Sequence, residues 1–152
     1  MKKIASLIFL TLALSACSNA ESEPTYTVED AQENGDVIVE HQVEEFEQIR
    51  QGALEVENSD QISTLVEKAK NGESYTTNVS IFNPDGSHFQ NRFETNGETV
   101  QFENEYSGYP NTPAGSFTCE YIEERGQIIY VSNCESKSGE TYSTLIGYIG
   151  KQ

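Results

Sequence analysis

The sequence predicts an α+β domain: an antiparallel meander of about five to six strands, one or two N-terminal helices packed on one face, and one disulfide within a hairpin. Three observations predict it. From Tyr75 onward, runs of alternating polar and apolar residues are separated by Asn83-Pro84-Asp85-Gly86, Asn96-Gly97 and Gly126-Gln127, which have the chemistry of tight turns. Upstream, apolar residues recur at helical spacing between Gln42 and Ala69. Eight tyrosines and seven phenylalanines, with many threonines, favour strands over helices.

The N-terminus precedes that domain and has a different character. Lys2 and Lys3 form a basic start, and Ile4 to Leu14 an apolar run of secretory-signal length. The run is too short for a stable transmembrane helix. Leu14-Ser15-Ala16-Cys17 then places a cysteine after two small residues. This order reads as a lipoprotein signal over 1–16, with Cys17 as the first mature residue and the acceptor of a diacylglyceryl group. An ordinary signal peptide followed by a chance cysteine is the alternative. Residues 17–26 are polar with one proline and read as a flexible tether. Residues 27–152 form the single domain. The expected location is the extracytoplasmic face of the cell membrane. Ser18 and Asn19 also permit the outer membrane where the cell has one.

Within the domain, Thr25 or Thr27 caps a short helix from Val28 to Glu33, which Asn34-Gly35 ends. Asp36 to Glu40 is a brief strand. A helix is expected over Gln42 to Leu54, from the spacing of Val43, Phe46, Ile49 and Ala53, although 43–56 also reads as an irregular insertion. A second helix, capped by Ser59 or Asp60, carries Ile62, Leu65, Val66 and Ala69 on one stripe. Tyr75 to Phe82, Ser87 to Thr95 and Glu98 to Tyr106 are the first three meander strands. A three-residue loop pairs Asn83 with Ser87 and sets Ile81 against Phe89. A two-residue Asn96-Gly97 loop pairs Thr95 with Glu98, Phe93 with Val100 and His88 with Glu105. Both registers keep the apolar residues on one face. Ser107 to Ser116 is a loop. Phe117 to Glu124 and Gln127 to Cys134 form a second hairpin, and Thr141 to Ile149 is the last strand.

Cysteine use follows from the compartment. With Cys17 lipidated, Cys119 and Cys134 remain as a pair in an oxidising environment. A type II′ turn at Gly126-Gln127 places them opposite each other, within disulfide reach. Closing that loop is worth roughly 3 kcal/mol in the chain-entropy model. A two-cysteine metal site is the rival, but His41 and His88 are not at ligand spacing.

Several stretches together resemble a family of small lipoproteins from low-GC Gram-positive bacteria, known as a domain of unknown function. They are Tyr26-Thr27-Val28-Glu29-Asp30-Ala31, Asn34-Gly35-Asp36-Val37-Ile38, His41 and Val66-Glu67-Lys68-Ala69-Lys70-Asn71-Gly72. The turns Asp85-Gly86 and Asn96-Gly97-Glu98, and Cys119 with Ser132-Asn133-Cys134, complete the set. The resemblance runs over most of 26–135. Residues 43–56 depart from it as an insertion, and 106–117 is shorter and less charged. It implies fold and location, and no activity.

Function is bounded mainly by charge. The chain carries 25 acidic against 9 basic residues, a net charge of −16. Removing Lys2 and Lys3 with the signal takes it to −18. That argues against nucleic acid and against anionic lipid surfaces as partners. No nucleophile elbow, phosphate loop or EF-hand spacing is present, so no cofactor or catalytic set is assigned and the chain is not read as an enzyme. The expected role is that of a membrane-anchored, non-enzymatic interaction or accessory module with an envelope partner. An acidic inhibitor or envelope-stress protein that binds a cationic hydrolase is the alternative. The candidate contact surface is His88, Arg92 and Glu105 on the polar sheet face, with Tyr109 in the 107–116 loop.

Overall fold

The computed structural model describes residues 25–151. The signal segment, Cys17 and most of the tether lie outside the described residues. Three helices and eight strands follow in the order α1 (Val28–Asn34), β1 (Val37–His41), α2 (Phe46–Arg50), β2 (Leu54–Glu57), α3 (Asp60–Lys70), β3 (Tyr75–Phe82), β4 (His88–Thr95), β5 (Val100–Asn104), β6 (Gly115–Arg125), β7 (Ile128–Ser136) and β8 (Thr141–Ile149). All eight strands join one sheet in the order β2-β1-β3-β4-β5-β6-β7-β8. Every neighbouring pair is antiparallel except β1 with β3.

The fold is thus α+β, with more strands than expected. The meander itself is β3 to β8; β1 joins its edge parallel to β3, and the strand not expected, β2, comes from 42–57. Gln51-Gly52 stops α2 after five residues, and Leu54-Glu55-Val56-Glu57 alternates as a strand that pairs back onto β1, His41 opposite Leu54. The parallel β1–β3 pair is bridged by α2, β2 and α3, a crossover long enough for that geometry.

α2 and α3 share one face of the sheet, and Ile49 of α2 joins the same core as α3; α1 lies on the other. Ile62, Leu65 and Val66 of α3 enter a core with Val37, Val39, Val79, Ile81, Phe93 and Phe102. By strand alternation Ile38 points the other way, yet it too is fully buried. On that side α1 packs on β1 and buries Ala31. A capping box between Thr27 and Asp30 starts α1, and Gly35 ends it.

The sheet curls until its ends approach. Phe93 of β4 reaches Gly147 of β8 so closely that a Cβ there would lie 2.7 Å from the ring. Lys151, just past β8, meets Glu55 of β2 at 2.5 Å. A single interior therefore takes side chains from both edge strands and α3.

Two registers agree with the turn chemistry. Phe82 pairs with His88 and Ile81 with Phe89, and Cys119 pairs with Cys134 at a Cα separation of 4.0 Å with the disulfide formed. The Asn96-Gly97 loop differs. Thr95 pairs with Val100 and Phe93 with Phe102, so the loop has four residues. The Asn96 side chain accepts the N–H groups of Glu98 and Thr99, at 2.9 and 2.8 Å, and closes it. The shift is two residues, so every side chain keeps its face.

Candidate functional site

The outer face of β4 to β8 is the broad surface that neither α1 nor α3 covers. Its rungs follow from the register. Thr76, Glu94, Gln101, Thr118, Glu135 and Thr141 form one rung across six strands, and all six are exposed. Beside it, Arg92 pairs with Glu103, and Glu103 with Ser116. On the other side Glu120 accepts from Asn133 at 2.9 Å. Four carboxylates, Glu94, Glu103, Glu120 and Glu135, thus share this face with Arg92. Glu94 already holds the Arg92 guanidinium at 2.8 Å, which leaves the face strongly negative. A shallow hollow of about 460 Å³ opens among Thr118, Glu120, Asn133, Glu135 and Lys137. Tyr121, 60% exposed, adds an apolar ring on the same strand.

The structure separates the four residues expected to form a contact surface. Arg92 is exposed on this face. Glu105 has turned from His88: its carboxylate accepts the Gln90 backbone N–H at 2.8 Å. No ion pair joins Glu105 and His88. The changed β4–β5 register is the cause, since His88 no longer stands opposite Glu105. His88 is half-buried, its ring stacked on Tyr26 at 4.5 Å and tilted on Phe82 at 4.7 Å. Burial holds its pKa below the usual histidine value, against the pull of the Glu105 and Asp36 charges.

Tyr109 requires the largest correction. It is 2% exposed. The loop after β5 folds inward, because Asn104 donates to the Tyr106 and Pro113 carbonyls at 2.9 Å and Thr112 accepts from the Ile146 N–H at 2.9 Å. Tyr109 then packs edge-on against Tyr106 and Phe46. Burial pushes its pKa well above the usual tyrosine range.

Its hydroxyl begins a hydrogen-bond chain that sequence reasoning missed. Tyr109 lies 3.5 Å from His41 Nε2, and His41 Nδ1 lies 2.9 Å from Asn83 Oδ1. Asn83 is oriented by its Nδ2, which donates to Ser87 Oγ at 3.0 Å. Its Oδ1 therefore accepts, which places the His41 proton on Nδ1 and leaves Nε2 to accept from Tyr109. Ser87 Oγ donates to Asp85 at 2.6 Å and holds that carboxyl below its ordinary pKa. Burial keeps His41 below its ordinary pKa, and the Asn83 contact opposes the shift.

Asp36 is the second centre that was missed. Its side chain, on a residue 2% exposed, accepts from Ser80 Oγ at 2.6 Å, Gln90 Nε2 and Tyr26 Oη at 3.0 Å, and Asn78 Nδ2 at 3.3 Å. Four neutral donors solvate a buried carboxyl in place of water. The available sequence signal is the polar set Asn78, Ser80 and Gln90 on the side of the strands opposite the core. Among the described residues, no group of three or more His, Cys, Asp or Glu side chains is arranged to hold a metal ion. No helix among them is long and apolar enough to cross a membrane.

No protein-family model matches the chain, and neither a curated protein nor a solved structure matches it.

Proposed function

We propose that the protein is an extracytoplasmic lipoprotein, held to the membrane by lipid on Cys17, that works as a non-enzymatic interaction module through its outer sheet face. The carrying observation is that face itself: six exposed polar residues in one rung, uncovered by any helix of the described residues. The chemistry-bearing residues elsewhere have structural partners. His41 is tied to Asn83, and Asp36 to four donors. The lipoprotein signal and the resemblance to small Gram-positive lipoproteins support the location.

A second reading is favoured by the acid excess on the face. Glu94, Glu103, Glu120 and Glu135 suit a cationic partner, such as a hydrolase that the protein would inhibit. Binding of that kind weakens steeply with salt.

The test compares wild type with Glu103→Lys/Glu120→Lys/Glu135→Lys in partner capture from solubilised membranes. The variant is expected to lose the partner that wild type retains. Identical partner sets would remove this face from consideration. Binding that persists unchanged from low to high salt would contradict the cationic-partner reading.

A further inference from the structure

The geometry points to a second site: a basic cleft that binds the phosphate group of a small phosphate ester. It lies away from the acidic face, where three segments distant in sequence meet. These are the end of α2, the β6–β7 turn, and the residue after Gly150. Arg50, Gln51, Arg125, Gln127, Ile128 and Lys151 line it, with Gly52 and Gly126 between them. Acids outnumber bases 25 to 9 in the chain. Here three of those nine bases converge, two side-chain amides join them, and among the described residues no carboxylate lines the cleft.

The walls are held in place. Gln127 Nε2 donates to the Arg50 carbonyl across the cleft, and Gly150 N–H donates to the Gln127 carbonyl at 2.7 Å. The Arg125 guanidinium lies 5.2 Å over the Tyr130 ring. Each base is paired with a glutamate: Glu47 at 2.8 Å from Arg50, Glu123 beside Arg125, and Glu55 at 2.5 Å from Lys151. All three pairs are well exposed, and exposed ion pairs are weak. A ligand phosphate can therefore recruit the free N–H groups of the same guanidinium forks. Two forks and an ammonium match a tetrahedral anion with more than one negative charge better than a single carboxylate. The cleft volume is about 770 Å³. Small-molecule sites span about 300–1,000 Å³, so there is room for an organic body as well as the phosphate, and Ile128 offers it an apolar wall.

Calorimetry on the purified full chain tests this with two probes, glycerol 3-phosphate for a free ester and dihexanoyl phosphatidic acid for a lipid headgroup. Saturable binding is expected, weakened at least tenfold in Arg50→Gln/Arg125→Gln and unchanged in Lys137→Gln, which alters a base on the outer face. The tighter-binding probe identifies the source of the phosphate. Absence of saturable binding by both probes, equal affinity in wild type and Arg50→Gln/Arg125→Gln, or an equal loss in Lys137→Gln would overturn the proposal. These side chains are exposed, and an unchanged urea midpoint confirms that the variants are folded.

Discussion

Tyr109, His41, Asn83, Ser87 and Asp85 pass hydrogen bonds in one direction from the interior to the surface, and His41 is the member whose ordinary pKa lies nearest neutrality. Burial keeps its folded pKa below 6.5, the ordinary histidine value. Between the two values the unfolded chain binds more protons than the folded one. Stability is therefore full above pH 6.5 and lost as pH falls toward the folded pKa. His88 acts in the same direction. Urea midpoints should fall between pH 7.5 and pH 5.5 in wild type, and the fall should be shallower in His41→Gln/His88→Gln. An unchanged slope would contradict this assignment. Asp36 carries a separate expectation. Asp36→Ala leaves Ser80, Gln90 and Asn78 without their acceptor, at a cost of about 3 kcal/mol. A loss below about 1 kcal/mol would mean that the donors find other partners. Neither centre was legible in the sequence. Asp36 is one of 25 acids, and its donors on β3 and β4 lie 42 to 54 residues away. Tyr109 sits among Gly, Pro and Ser, a composition that reads as solvated loop. Only the tertiary pins at Asn104 and Thr112 turn it inward.

Among the elements, those with their own start and stop chemistry were legible. Thr27 with Asp30 and Gly35 bound α1, and Asn71-Gly72 follows α3. The Gly126-Gln127 turn sets the hairpin register, and with it the Cys119–Cys134 disulfide. The Asn96-Gly97 loop was misjudged because two outcomes share its sequence. A two-residue turn satisfies the dipeptide, but here Gly97 also packs against Gly72, the residue after the α3 C-cap. A Cβ on Gly97 would lie 2.3 Å from the Gly72 backbone, and its φ is +88°. Gly139 has nearly the same φ, +87°, with open space around it. Comparing the two separates strain from contact. Gly139→Ala should cost about 1 kcal/mol, for conformation alone, and Gly97→Ala at least about 1 kcal/mol more. Equal losses in urea unfolding would show that the contact between the two turns contributes nothing. The 42–57 region was illegible for another reason. Its apolar spacing fits one long helix, and only pairing with β1 selects α2 followed by β2.

At the scale of the whole molecule, the charge is divided unevenly. The outer face gathers glutamates, while the cleft between α2 and the β6–β7 turn gathers three of the few bases. Tyr26, where the tether ends, is fixed on α1's side of the sheet by its bond to Asp36 and its stack on His88. Each buried methylene contributes ~0.8 kcal/mol, so two or more acyl chains hold a protein where one does not. The net charge of −18 that signal removal would leave disfavours docking on an anionic bilayer and would offer no polybasic second signal. The most direct measurement is fractionation of cells expressing wild type or Cys17→Ser, with metabolic labelling by a fatty-acid analogue. Wild type should take up label and sediment with membranes, while Cys17→Ser stays unlabelled and is released or unprocessed. An unlabelled wild type, or a serine variant that matures normally and remains on the membrane, would contradict the lipoprotein assignment.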